Sequence, residues 1–173
     1  MISRHFPILV LSMSLLLALP SQANSEWELQ DDDDGIRLYT REVPGSPFLE
    51  VRATTEINTT LEQLLAAFGD GVGCPDWREN CKSSRLLREA GEGERYIYMV
   101  LDLPWPMSDR DMVIRSVSQV DRQASTATVE VSSVDGEYPE QDDVRAWTRA
   151  SYRVEPAEPG RVALTYTVHV ELG

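Results

Sequence analysis

Lysine is almost absent: Lys82 is the only one in a chain of 173 residues. Acids outnumber bases by 29 to 16, a formal net charge of -13. Nucleic acid and anionic lipid heads both call for clustered Lys and Arg, so neither partner fits this composition. Histidine is scarce, with only His5 and His169. His169 lies in the middle of an alternating strand. A His-based zinc site therefore lacks ligands, and a Ser-His-Asp triad has no G-x-S-x-G elbow to work with. A glycine-rich phosphate loop is missing too. Asp31 to Asp34 is a run of acids without the spaced ligands, glycine and distal glutamate of a calcium loop. It reads as the end of a polar lead-in from Trp27, a solvated turn before Gly35. No metal or cofactor is implied, and the missing catalytic constellations point towards binding. What is present is 42% hydrophobic residues, enough for the packed core of one domain.

No stretch after Leu19 is long or apolar enough to span a membrane, but an apolar run stands before it. Arg4 is followed by Phe6 to Leu19 and then by Pro20-Ser21-Gln22-Ala23. A basic start, a short apolar stretch and a small-x-small site form a secretory signal, too short to span a bilayer comfortably. Residues 1–23 are therefore expected to be a signal peptide, and 24–173 one exported domain, periplasmic or secreted. Losing Arg4 makes the mature chain one charge more negative.

Cysteine is limited to Cys74 and Cys81. In an exported chain, two cysteines this close suggest a disulfide, with two buried free thiols as the alternative. A continuous helix would separate them by about 10.5 Å, beyond the roughly 7 Å a bridge tolerates. A bridge thus requires a short helix that opens at Cys74-Pro75 and ends before Cys81.

The rest is mostly strand. Ile36–Glu42 is the first, Pro44 to Pro47 a turn, and Leu49–Ile57 an alternating second strand. A helix follows. Thr59 and Glu62 have capping-box spacing, and Leu61, Leu64, Leu65 and Phe68 form one stripe. Six more strands are expected at Ser83–Glu89, Arg95–Leu103, Asp111–Val120, Thr126–Val134, Val144–Val154 and Val162–Leu172. Short connections imply an antiparallel meander. Its apolar face is rich in small residues: Ala53, Ser116, Ser118, Ala127, Ala146, Thr148 and Ala150. Interiors pack densely, so a helix, a ligand or both must fill that face.

Pro104-Trp105-Pro106-Met107-Ser108-Asp109-Arg110-Asp111 resembles the P-W-P-x-S-x-R-D signature of bacterial START (StAR-related lipid transfer) domains. Trp27-x-Leu29 with Asp34-Gly35-Ile36-x-x-Tyr39-Thr40-Arg41 is similar to the family's opening strand. Cys74-Pro75-x-Trp77 with Asn80-Cys81, and Tyr138-Pro139-Glu140 with Val144-Arg145, match in order. The last resembles the family's Ω loop. The resemblance implies an α+β helix-grip fold, START/Bet v1-like: a curved antiparallel sheet with short helices between the second and third strands, wrapping a long C-terminal helix. A tunnel between them would hold one lipid without covalent chemistry. Leu49, Val51, Ala53, Val100, Ile114, Ser116, Ala146, Ala150 and Val168 are expected to line it, with Tyr138 and Pro139 in a lid loop. Pro104, Trp105, Pro106, Arg110 and Asp111 are expected to be scaffold, with Asp109 or Asp111 pairing with Arg110. In sterol-type members a buried acid and base flank this turn. The matching positions here are Val100 and Ser116, both uncharged.

The chain stops at Gly173, where the family pattern continues into a helix. About 40–50 further residues are expected beyond it, a C-terminal truncation. Two other readings stay open. One is a cyclase-like enzyme with Tyr98, Tyr152 or Asp102 as acid or base. The other is an interaction module that accepts a partner's helix. The partner expected here is a lipid or other hydrophobic small molecule, with transient membrane contact and no nucleic acid.

Overall fold

A computed structural model describes residues 26–68, 74–77, 79–136, 138 and 143–173. The expected signal peptide, Pro139 and Glu140 lie outside these residues. The strands are β1 Glu28–Asp33, β2 Ile36–Arg41, β3 Glu50–Ile57, β4 Cys81–Gly91, β5 Glu94–Leu101, β6 Arg110–Asp121, β7 Thr126–Ser133, β8 Val144–Arg145, β9 Trp147–Pro156 and β10 Val162–Glu171. Two short helices, α1 Leu61–Phe68 and α2 Cys74–Trp77, sit between β3 and β4. The sheet runs β1-β2-β3-β10-β9-β7-β6-β5-β4, and β8 pairs with β6. All pairings are antiparallel except that of β8. The antiparallel expectation holds, and so does the small share of helix.

Residues 28–33 correct the expected lead-in. They form β1, so the helices follow the third strand and not the second. Asp34 and Gly35 both have positive φ, 47° and 76°. That is the backbone of a two-residue hairpin turn, whose twist suits the flanking strands. The carboxylates of β1 line an exposed edge strand, where charge discourages pairing with another chain. The expected strand from Val144 to Val154 is divided. β8 runs parallel to β6, and β9 pairs antiparallel with β7. Between them lies fully buried Ala146, whose N–H donates to the Asp111 carbonyl at 2.8 Å.

α1 carries its capping box one residue later than expected. The Gln63 N–H donates to Thr60 Oγ1 at 3.3 Å, and the Thr60 N–H donates to Gln63 Oε1 at 3.1 Å. Glu62 instead pairs with Arg122. Leu61, Leu64 and Leu65 pack on Ile57, Ala127, Val154, Val162 and Leu164. α2 is the short helix required by the bridge: Cys74 opens it, Cys81 follows it, and the disulfide spans a Cα separation of 5.9 Å. Both cysteines join Ile97, Met99, Leu101, Met112, Ile114 and Ala146 in one buried cluster.

Candidate functional site

Residues directly opposite each other in a sheet share a face, so the register defines rows across it. One row on the helix-bearing face reads Arg95, Ser116, Val131, Ala150, Val168, Val51 and Thr40 across β5, β6, β7, β9, β10, β3 and β2. The next reads Ser118, Val129, Tyr152, Tyr166, Ala53 and Leu38. α1 lies over the row beyond, with Ala127, Val154 and Leu164. The α2 cluster lies over the row on the other side, with Ile97 and Ile114. The two middle rows thus form a strip between the helices. The tyrosine rings stack there, 4.6 Å between centroids.

Five of the expected lining residues fall in this strip: Val51, Ser116, Ala150 and Val168 in one row, Ala53 in the next. Ile114 and Ala146 share the face but are buried in the α2 cluster. Leu49 is exposed at the rim, just before β3. Val100 is a correction. It pairs with Asp111 and packs with Tyr98, Val113 and Val134 on the opposite face. Strand alternation puts Met99 and Leu101 on the helix side, and Val100 between them points away.

The residue opposite Ser116 is Arg95. Its Nε lies 3.3 Å from Glu89 Oε1. Only the register reveals this pair, because Arg95 reads in sequence as an ordinary first residue of a strand.

On the outer face, Asp111 is wholly buried and holds Arg145 at 2.7 and 3.0 Å through two oxygens. Among the described residues, the expected pairing of Arg110 with Asp109 or Asp111 is not made. Asp109 takes Lys82, and Arg110 donates to the carbonyls of Ser108 at 2.6 Å and Leu172 at 2.5 Å. Both Arg110 and Asp111 tie strand ends together, whereas Trp105, expected to be scaffold as well, is 92% exposed. Burial, and then the charge and hydrogen bond of Asp111, push the Tyr98 phenol up to about 12.

Tyr138 corrects the lid reading. Its ring lies against Tyr98, 4.8 Å between centroids, under the Arg85 guanidinium. It therefore covers the outer face of β5 and β6, away from the strip. The loop brings a Tyr to the apolar patch of Tyr98, Val100 and Val113, which would otherwise meet water. His169 is buried on the outer face as well, with Nε2 3.4 Å from Glu171 Oε1. Tyr98 on the outer face, Tyr152 on the strip and exposed Asp102 beyond β5 do not come together as an acid and base set. Among the described residues no group of three His, Cys, Asp or Glu could hold a metal.

The sequence profile of the START domain matches residues 12–173. An uncharacterized protein of Pseudomonas aeruginosa is 27% identical over 151 residues, 86% of this chain and 73% of that one. The crystal structure of a STAR-related lipid transfer protein from Xanthomonas axonopodis is similar, with a TM-score of 0.74 and 28% identity over 83% of this chain and 80% of that one. Human StAR-related lipid transfer protein 5 shares the fold, with a TM-score of 0.76 at 17% identity, over 88% of this chain and 75% of the human one.

Proposed function

Because this chain belongs to the START domain family, we propose that it holds a single lipid or other hydrophobic molecule against the strip between α1 and α2, without covalent chemistry. The observation that carries this reading is the strip itself. Its side chains are small or apolar, and most are only partly covered by protein. Burying an acyl chain there is favourable by about 0.8 kcal/mol per CH₂. The similarity to a lipid transfer protein at 28% identity supports the same class of ligand.

The strip also restricts the ligand. From β2 to β6 its rows carry no charged side chain, and the first charge is Arg95 with Glu89 at the β5 end. A charged group laid over the middle would lose its hydration with no partner. The ligand's buried length is therefore uncharged, and any polar group sits near Arg95. The apolar run and small-x-small site at residues 6–23 support an envelope setting for this cargo.

Native mass spectrometry of the protein with its co-purified or added lipids tests the proposal. One ligand per chain is expected. Ala53→Trp, which fills the strip beside Tyr166, should weaken binding by about tenfold or more while leaving the fold intact. A protein that takes up none of a panel of neutral and phosphate-bearing lipids would overturn it.

A further inference from the structure

The outer face of the sheet carries a groove of its own, behind the β3 segment that contributes to the strip. Val51 and Ala53 face the strip, so strand alternation turns Arg52 and Thr54 outward. The register sets Tyr39 beside Arg52, and Arg37 and Thr165 on either side of Thr54. Trp27 closes one end, with the Arg52 guanidinium 3.9 Å and that of Arg41 4.4 Å from its ring centroid. Arg161, bound to Glu56 at 3.0 Å, stands at the other end. The groove has a volume of about 800 Å³. Sites for small molecules span about 300–1,000 Å³.

Four buried side-chain polar atoms lack a hydrogen-bond partner among the described residues. Three of them, Arg52 Nε, Thr54 Oγ1 and Arg161 Nε, belong to residues that line this groove. A buried donor without a partner is costly, so three in one place call for an acceptor. Water can accept a hydrogen bond but brings no charge, and charge is what the Arg52 end lacks. Arg41 takes Glu50 and Arg161 takes Glu56, while neither Arg37 nor Arg52 has an ion pair among the described residues. Burial, and then the neighbouring Arg41 charge, hold the Arg52 guanidinium below the usual arginine range.

We propose that this groove binds a small soluble molecule through one oxyanion, a carboxylate or a phosphate, seated between Arg52, Thr54 and Arg37. Arg52 Nε and the Thr54 hydroxyl donate to it, a charge-assisted pairing stronger than one between neutral groups. Arg37, opposite Thr54 on β2, adds its positive charge. Asp32 and Asp34 line the same groove and act on the rest of the ligand. They repel a second anionic group and favour hydroxyl or amine donors there. The net charge of -13 opposes an anion at long range. At physiological salt that opposition is screened beyond about 8 Å, whereas the arginines act at contact. The groove and the strip lie on opposite faces of β3, so their ligands are separate.

Titration of the isotope-labelled protein with inorganic phosphate, glycerol phosphate and succinate tests it, followed by NMR at the arginine Nε–H signals and the β3 backbone amides. The Arg52 Nε–H signal should move saturably with at least one of the three. Sodium chloride at matched ionic strength should not reproduce the shift. Arg52→Lys keeps the charge but loses the Nε–H donor, and should weaken binding about tenfold. Thr54→Val keeps the shape without the hydroxyl and should weaken it several-fold, which keeps the test open if Arg52→Lys disturbs the stack on Trp27. Arg149→Gln, on the same face but outside the groove, should leave affinity unchanged. No saturable shift with any of the three, a chloride shift of the same size, or wild-type affinity in both Arg52→Lys and Thr54→Val would overturn the proposal. So would binding only to vesicles bearing phosphatidic acid, which would make the anion a lipid head group and not a soluble molecule.

Discussion

Tyr98 is buried beside Asp111 and keeps its proton to about pH 12. An unfolded tyrosine loses its proton near pH 10. Between those values the folded chain holds a proton that the unfolded chain has released, so stability falls as pH rises. The contribution is complete below about pH 10 and is lost as pH rises through about 12. Urea midpoints should therefore hold steady up to about pH 10 and then decline. Tyr98→Phe should remove most of that decline, and an equal decline in the variant would count against the assignment. The acid limb is weaker. Lys82 beside Asp109, and Arg115 beside Glu94, lower those two carboxyl groups. Their small contribution is present above the usual carboxylate range and fades as pH falls through the lowered values. Solvent and salt screen exposed pairs of this kind, so they add little to stability.

In the first turn of α1 the Thr60 hydroxyl accepts from the Gln63 N–H, while the Thr59 hydroxyl bonds only the Gln63 side chain. Removing a side-chain cap costs about 1 kcal/mol. Thr60→Ala should lower unfolding free energy by about that amount in a urea melt, with a much smaller change for Thr59→Ala. Equal losses would place the cap at Thr59. Sequence spacing found the box but not its frame. Thr59 with Glu62 and Thr60 with Gln63 are equally good pairs on paper, and what decides is the position where β3 ends at Ile57. Strand existence was largely legible, because apolar and polar residues alternate along β3, β9 and β10. The start of β1 was hidden by its acids, which look like a loop when no partner strand is in view. The strip was legible in part. Ala53, Ser116 and Ala150 stood out as small residues on an apolar face, but Val100 and Arg95 could be assigned only from the pairing of β5 with β6.

Across the whole molecule, one covalent bond joins helix to sheet. The Cys74–Cys81 bridge fastens α2 over the β4–β6 corner, within the larger buried cluster. A loop this short is worth about 2–3 kcal/mol on chain-entropy grounds. Reduction should lower the urea midpoint by a matching amount, and Cys74→Ala with Cys81→Ala should do the same. No change on reduction would mean that the cluster holds α2 without the bond. The strand order carries a different consequence, for assembly in time. During synthesis β1, β2 and β3 emerge first and can pair with one another at once, and β4 to β9 can form a second unit. The two units have no shared ladder until β10 arrives and pairs with β3 on one side and β9 on the other. Such distant pairing is slow, because a long loop must close before any bond rewards it. Until the final strand exists, β3 and β9 each present a bare edge, and a chain halted before Val162 would hold two half-sheets with nothing between them.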